Sequence, residues 1–233
     1  SDNLQSIKTF FNRIQDFAFY GDLQMVLTKK GKTIESCIKN KDYASILEAL
    51  LNPNGLAYGS SPKGLLQFHK YPDGPRTSVM EHLAEGALYA WSAGNRVKIH
   101  FTVSPEHRQR FEEHIAQVCP AFEKHFKVSY DLSFSEQKAY TDTIAVGLDN
   151  EPFRNADSSL LFRPAGHGAL IENLNDINAD IIFVKNIDNV VPDRLKGDTI
   201  SYKKALAGIL LSVQEQIFKF LKLLDTGVGE IEL

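Results

Sequence analysis

The chain of 233 residues is poor in cysteine. Its two cysteines, Cys37 and Cys119, lie far apart and outside any Cys-x-x-Cys pattern. This spacing argues against a disulfide scaffold and against a cysteine-based zinc site, and it is typical of a protein from a reducing compartment. The N-terminus lacks the apolar core of a secretory signal. We therefore expect a cytoplasmic protein.

Long apolar runs and blocks of one charge are also absent. No stretch reaches the ~18 apolar residues needed to cross a bilayer, so no membrane association is expected. The formal net charge is -3 without any basic block, so nucleic acid is not an expected partner. The composition, 43% hydrophobic and 24% charged, is that of a globular chain that can bury one sizeable core.

Several familiar catalytic patterns are missing as well. The sequence has no Gly-x-Ser-x-Gly elbow, and neither cysteine has neighbours that would activate a thiol. Its seven histidines include no His-Glu-x-x-His pattern, which disfavours a zinc peptidase. Nucleophilic hydrolysis and zinc chemistry therefore rank low among the possible functions.

What the sequence does contain is an alternation of helical and strand patterns. Apolar residues at helical spacing predict helices over residues 4–17, 42–51, 78–93, 105–119 and 201–224. Apolar or alternating runs predict strands over residues 65–68, 97–103, 127–134, 143–148 and 181–187. Because parallel strands need crossover helices, the order predicts a three-layer α/β domain, with a mixed, largely parallel sheet and helices on both faces.

The run from Ile181 to Ile187 is the most strand-like, and its β-branched and aromatic residues suit a strand buried on both faces. Asn186, Asp188 and Asn189 follow where that strand should end. In open α/β sheets ligands bind beyond the carboxyl ends of the strands, so Asp188 is a candidate ligand for a metal or a phosphate-bound metal. An equally good interpretation is a simple Asx-type turn.

Two glycine-rich loops complete the candidate site. The first, Gly59 to Gly64, carries one cation, Lys63, and the second, Gly166 to Gly168, opens into a helix whose first amides could cradle an anion. Both could equally be turns in which glycine only relieves steric crowding. If the loops converge with Asp188 at one edge of the sheet, they could hold a nucleoside triphosphate with Mg²⁺.

The ordered set of motifs resembles the UDP-sugar pyrophosphorylases. The set consists of Gly59-Ser-Ser-Pro-Lys-Gly64, Gln137, Pro164-Ala-Gly-His-Gly168 and Ile187-Asp-Asn189. The whole chain more closely resembles an uncharacterised bacterial family, DUF4301, that is distantly similar to those enzymes. The resemblance implies the nucleotide-diphospho-sugar transferase (GT-A) fold, a Rossmann-like layered sheet.

The resemblance also implies roles for individual residues. Lys63 would be the catalytic residue that contacts the phosphates, and Asp188 would bind Mg²⁺. Gln137 would contact uracil. The remaining residues implied in nucleotide or sugar binding are Gly59, Pro62, Gly64, Gly166, His167, Gly168 and Asn186. The substrates would be a nucleoside triphosphate and a sugar 1-phosphate, or a sugar nucleotide, with release of pyrophosphate in the forward reaction.

The sequence departs from those enzymes in two ways. They begin with a loop of the type Gly-Gly-x-Gly-Thr-Arg, which does not occur before Ser60, and their later sugar-binding half has no counterpart. We therefore expect residues 1–233 to be a single nucleotidyltransferase-like domain from a longer polypeptide, inactive as a fragment. One alternative is a non-catalytic sugar-nucleotide-binding module. A GT-A glycosyltransferase ranks lower, because Asn186-Ile-Asp188 replaces the Asp-x-Asp expected there.

Overall fold

The computed structural model of the protein describes residues 2–227. Ser1 and residues 228–233, at the two ends of the predicted domain, lie outside the described residues. The helices are α1 (Asp2–Asn12), α2 (Tyr20–Lys29), α3 (Ile34–Lys39), α4 (Tyr43–Leu51), α5 (Ser78–Tyr89), α6 (Pro105–Phe126), α7 (Ile171–Asn175) and α8 (Lys196–Asp225). The strands are β1 (Gln67–Tyr71), β2 (Gly74–Thr77), β3 (Trp91–Ser92), β4 (Arg96–Thr102), β5 (Ser129–Ser135), β6 (Thr143–Ile144) and β7 (Phe162–Arg163). The α/β class predicted from the sequence is confirmed.

The first four helices form a helical unit with its own apolar core. Leu23 and Leu27 of α2 pack there against Ile46 and Ala49 of α4, and all four side chains are fully buried. Helix α4 begins where the sequence predicts, because the Asp42 carboxylate accepts a hydrogen bond from the backbone N–H of the third helical residue. The chain then leaves this unit through the first glycine-rich loop.

Strands β3, β4 and β5 form the mixed sheet at the centre of the molecule. Strand β3 pairs with β4 in antiparallel fashion, and β4 pairs with β5 in parallel, in register from Arg96 opposite Ser129 to Thr102 opposite Ser135. Helix α6 connects the two parallel strands. It begins as predicted after Ser104, with Pro105 in the first helical turn, where the missing N–H costs nothing. The β1–β2 and β6–β7 pairs form two small antiparallel sheets.

Helices α5 and α6 cover one face of the β4–β5 pair. Phe101 of β4 is buried on this face with Val79 of α5 and Phe111 of α6, and the buried Val97 lies on the same face beside Gly86 of α5. The alternate residues Lys98, His100 and Thr102 point to the other face and are polar. The predicted second helical layer therefore does not cover this sheet in residues 2–227, because a polar face gains little from burial.

The predicted strand over residues 181–187 is not a strand in the structure. It forms no ladder with any described strand, and the side chains of Ile182 and Val184 are 38% and 67% exposed. The segment instead runs along helix α5, where the Phe183 ring lies 5.0 Å from the Tyr89 ring. Its apolar residues pack on a helix on one side only, and the prediction of a strand buried on both faces was wrong.

Helix α8 starts at a buried residue, Lys196, and then lies on the surface for most of its 30 residues. Its predicted buried face is largely exposed: Tyr202 is 73% exposed and Ile209 is 62% exposed. Helical periodicity therefore identified the helix correctly but not its burial. Across residues 2–227, α8 included, no helix combines the length and the apolar character that a bilayer crossing requires.

Candidate functional site

Lys63 and Asp188 meet although 125 residues separate them along the chain. The Lys63 ammonium donates to Oδ2 of Asp188 over 2.7 Å, and the two side chains are 66% and 40% exposed. This hydrogen bond lowers the pKa of the Asp188 carboxyl below its ordinary value. We call these two residues the rim pair. The proximity expected from the sequence is thus present for this lysine and this aspartate.

Each member of the rim pair is placed by local structure. Lys63 starts a short 3-10 turn, Lys63–Leu65, directly after Pro62, whose fixed φ favours extended backbone at this point. Asp188 lies in a tight turn that is closed by a hydrogen bond from the Asn189 N–H to the Asn186 carbonyl, 3.1 Å long. A turn is therefore present at this motif, closed by backbone groups and not by an Asx side chain, and it leaves the Asp188 carboxylate at the surface.

Helix α5 holds the turn that carries Asp188. The carbonyl of Ile187 accepts hydrogen bonds from the Ser78 hydroxyl and from Nε2 of His82, the latter at 3.0 Å. Burial lowers the pKa of His82, so at neutral pH the ring is uncharged and its single proton sits on Nε2 to make this bond. The backbone at Ile187 is thus fixed by two side chains of one helix.

A cavity of about 140 Å³ adjoins the rim pair. It is bounded by the turn at Lys63, the carboxyl end of β4, the first turn of α6 and Ile187. The N-terminus of α6, a helix of 22 residues, carries the partial positive charge of the helix dipole. The cavity therefore lies at the carboxyl edge of the parallel β4–β5 pair, where α/β proteins bind ligands.

The glycines of the first loop have packing roles. A Cβ on Gly64 would lie 2.5 Å from the Phe111 ring and 3.2 Å from the Ile187 side chain, and a Cβ on Gly59 would lie 2.9 Å from the carbonyl oxygen of Leu51. Gly64 thus lets the lysine loop approach α6 and the Ile187 turn closely. Ligand binding by Gly59 and Gly64 remains a prediction.

The second glycine turn follows β7, in the small β6–β7 sheet. Gly166, His167 and Gly168 are exposed and lead into a 3-10 turn and then α7. Asn173 of α7 donates to the Ser135 hydroxyl at the end of β5 and to the next carbonyl, at 2.8 Å and 2.7 Å. Helix α7 is therefore tied to the carboxyl end of β5. In the part of the chain that the structure describes, no hydrogen bond or ion pair joins the second glycine turn to the rim pair.

The remaining predicted residues lie at or near the carboxyl edge of the β4–β5 pair. Gln137 follows β5 by two residues, and its amide donates to Asp142 over 3.0 Å within its own loop. Pro62 lines the cavity, and Asn186 is exposed at the start of the Asp188 turn. Their roles in binding uracil or nucleotide remain predictions.

Sequence analysis missed a set of buried charges under helix α5. Glu81 and Glu85, one helical turn apart, are almost fully buried, with ion pairs to Lys196 and Lys185. We call these four residues the buried cluster. The sequence offers Thr77 or Ser78 as the cap of α5 and places Glu81 at capping-box spacing from Ser78, and in the structure Thr77 is the N-cap residue and Glu81 is buried. Two glutamates at i and i+4 on a helix are a weak signal, because solvent-exposed faces show the same pattern.

The buried cluster continues into neighbouring polar groups. The second oxygen of the Glu81 carboxylate accepts hydrogen bonds from the Tyr71 hydroxyl at 2.7 Å and from Nδ1 of His69 at 2.9 Å. Lys196 also contacts Asp193 at 2.9 Å. Burial and the hydrogen bond to Glu81 raise the pKa of Tyr71. These contacts anchor the start of α8 and the chain before it to α5.

Asp188 can contribute one carboxylate to a metal, and the structure fits only an ion that needs little else from the protein. Among residues 2–227 there is no group of three histidine, cysteine, aspartate or glutamate side chains arranged for a metal. Lys63 contacts only one oxygen of Asp188. Mg²⁺ is often held by one or two carboxylates while phosphates and waters complete its octahedron, and Asp188 suits that arrangement.

Comparison with known proteins gives one match. Residues 1–232 match the family model of DUF4301, a domain of unknown function. No curated protein and no solved structure matches the chain. The similarity to UDP-sugar pyrophosphorylases thus remains a prediction. Because the match covers nearly all of the sequence, the chain belongs to the DUF4301 family.

Proposed function

We propose that the protein is a sugar-1-phosphate nucleotidyltransferase-like domain of the UDP-sugar pyrophosphorylase type. It would bind a nucleoside triphosphate and a sugar 1-phosphate with Mg²⁺, in the cytoplasm, on a GT-A type fold. The observation that carries the proposal is the rim pair: Lys63 and Asp188, distant in sequence, meet at 2.7 Å beside a cavity at the carboxyl edge of parallel strands.

The charges at this edge suit a metal-bound polyphosphate. A lysine ammonium is a compact point charge on a flexible stem and can neutralise phosphate oxygens. The start of α6 borders the same cavity, and the dipole of this helix favours negative charge there. Asp188 supplies the single carboxylate that a phosphate-bound Mg²⁺ needs. Together these groups offer the Lys63 ammonium and the helix dipole to the phosphates and one carboxylate to the metal.

The proposed reaction asks little covalent chemistry of the protein. An oxygen of the sugar 1-phosphate attacks the α-phosphorus, the bond to the β-phosphate oxygen breaks, and pyrophosphate leaves. The attacking phosphate is already an anion, so no general base has to remove a proton. Bound Mg²⁺ would neutralise charge on the triphosphate. Lys63 orients the two anionic reactants and stabilises the charge of the transition state, which is how phosphoryl-type transfers are mostly catalysed.

The size of the cavity limits how a ligand can lie. Small-molecule pockets usually measure about 300–1,000 Å³, whereas this cavity measures about 140 Å³. It can therefore take only part of a nucleotide. The rest would lie over the exposed edge, where Lys63 and Asp188 are both open to solvent, and where the loop at Gln137 follows the end of the neighbouring strand β5.

Calorimetry with UTP, in the presence and absence of Mg²⁺, tests the proposal. Binding to the natural protein should require Mg²⁺, and Asp188→Ala should abolish that binding while leaving the circular dichroism spectrum unchanged. Asp198→Asn removes an exposed carboxylate from α8 and is the matched control. If Asp188→Ala keeps its Mg²⁺-dependent affinity for UTP, the assignment of Asp188 is wrong.

Turnover separates the enzyme from the alternative of a binding module. The assay is pyrophosphate release from UTP with a panel of sugar 1-phosphates, measured on the natural full-length polypeptide. Release that depends on Lys63 supports the nucleotidyltransferase. Mg²⁺-dependent binding of UTP or a UDP-sugar without release supports a non-catalytic sugar-nucleotide-binding module, and binding of neither rejects both.

A further inference from the structure

We infer that Lys63 competes with a divalent cation for Asp188, so that phosphate and divalent cation displace the Lys63–Asp188 contact together. The inference rests on the proposed function, because it describes how the same site is regulated. The rim pair is then a latch that phosphate and metal open together.

The geometry of the rim pair leads to this inference. The ammonium lies 2.7 Å from Oδ2 of Asp188, within the range of a charge-assisted hydrogen bond. It is the only ion pair of Asp188 within residues 2–227. An ammonium and a divalent metal ion compete for the same carboxylate, since both are drawn to its negative charge. While Lys63 stays in place, a metal finds a carboxylate that is already neutralised.

The exchange needs only side-chain motion. Lys63 is 66% exposed and has a four-carbon stem that can rotate toward a phosphate. Asp188 stays in place, because the Ser78 hydroxyl and His82 hold the carbonyl of Ile187. Phosphate oxygens would attract the released ammonium, and the freed carboxylate would accept the metal. The charge at Asp188 is balanced before and after the exchange.

This arrangement couples the two ligands. A metal that binds Asp188 alone is repelled by the Lys63 ammonium on Oδ2 of the same carboxylate, and a phosphate that draws Lys63 away alone leaves Asp188 without its cation. When both bind, the Lys63–Asp188 contact is lost only once, and the free-energy cost of losing it is shared by the two ligands. Coupling of this kind is reciprocal, so the metal must strengthen nucleotide binding by the same factor by which the nucleotide strengthens metal binding. Lys63 thus lowers the metal affinity of Asp188 in the absence of phosphate and is itself a ligand for the phosphate.

The test measures metal binding without nucleotide. MnCl₂ is titrated into isotope-labelled protein, and paramagnetic broadening of the backbone amide signals of Asp188 and Asn189 reports occupancy at Asp188. Lys63→Met should raise the Mn²⁺ affinity there about two- to fivefold, the range that a solvent-exposed ion pair supports. Asp188→Asn should abolish the local broadening.

A matched control separates direct contact from general electrostatics. Arg110 donates to the Ser61 hydroxyl at 2.8 Å, so its positive charge lies on the same loop without an ion pair to Asp188. Arg110→Met should change the Mn²⁺ affinity less than Lys63→Met does. Equal effects of the two variants would overturn the inference, as would an unchanged or weaker Mn²⁺ affinity in Lys63→Met, or no broadening at Asp188 in any variant.

The sign of the two effects provides a further criterion. Lys63→Met should strengthen Mn²⁺ binding and weaken Mg²⁺-dependent UTP binding, whereas damage to the fold would weaken both. Because the Mn²⁺ titration contains no nucleotide, its result stands whether or not UTP binds. If UTP binds to none of the proteins, the proposed function is rejected. If Lys63→Met does not raise the Mn²⁺ affinity at Asp188, the latch is rejected.

Discussion

The buried cluster and the rim pair use the same kinds of charged side chain in opposite ways. Glu81 and its partner Lys196 are shielded from water, whereas Lys63 and Asp188 are open to it. Lys185 and Lys196 of the buried cluster and Asp188 of the rim pair all lie in one stretch of chain, residues 185–196. Burial, rather than residue type, therefore separates the ion pairs that hold this stretch from the one that can exchange partners.

The difference follows from the physics of ion pairs in water and in the protein interior. An exposed pair is screened and adds little to stability, so its members can be released at small cost. Removal of one member of a buried pair leaves an uncompensated charge, which is strongly destabilising. The charges of Lys185 and Lys196 thus fix the segment on α5, and Asp188 between them stays open to solvent.

Lys196→Met should have the largest effect on stability, because it leaves the Glu81 carboxylate buried without its cation. We expect a loss of about 3–5 kcal/mol in the free energy of unfolding, the usual cost of breaking a buried pair. Guanidinium unfolding followed by circular dichroism measures it. Lys204→Met, at an exposed site on the same helix, is the control, and a loss no greater than the control's would contradict the assignment of Lys196 as structural.

Asp193 should show an intermediate effect that depends on pH. Burial alone would raise the pKa of its carboxyl, but Lys196 and Arg76 outweigh burial, and the pKa lies below its ordinary value of 3.8. A lowered pKa in the folded state means stability that is present above about pH 4 and is lost as the pH falls further. The advantage of the natural protein over Asp193→Asn should therefore shrink below about pH 4.

Urea unfolding at several pH values between 7 and 3 measures this effect. Asp198→Asn removes an exposed carboxylate five residues later and should show no comparable dependence on pH. A difference between the natural protein and Asp193→Asn that stays constant over the whole range would mean that the ion pairs of Asp193 do not contribute to stability.

Lys63→Met should have the smallest effect on stability. Both members of the rim pair are exposed, so the unfolding midpoint should match that of the natural protein within experimental error. Differential scanning calorimetry of the two proteins, with Lys204→Met as a reference for the loss of any surface lysine, checks this. A clear fall in the midpoint for Lys63→Met alone would show that the pair is structural, and the contrast with the buried cluster would fail.

Local signals in the sequence predicted the starts of two helices. Pro105 marks the start of α6, although the Ser104 side chain expected to cap it makes no cap hydrogen bond, and Asp42 caps α4, because helix starts depend on residues within one turn. Helices α2 and α3 were not predicted. The limits of this approach appear inside α6. Pro120 was expected to end that helix, yet the helix continues to Phe126, because packing of Phe122 against the sheet outweighs the unfavourable proline.

Features that depend on distant partners were not predictable in the same way. An apolar run such as residues 181–187 suits a strand and suits equally a segment that packs on a helix, and only the neighbour decides between the two. The same applies to Glu81, whose burial depends on a lysine 115 residues away. The meeting of Lys63 and Asp188 could be expected only by assuming that loops at strand ends converge at one edge.

The carbonyl of Ile187 links the two kinds of ion pair. It is held by a hydroxyl and an imidazole of α5 instead of by a neighbouring strand, so the position of the Asp188 carboxylate depends on two side chains of one helix. A substitution at Ser78 or His82 should therefore displace Asp188 from Lys63, although neither side chain belongs to the rim pair.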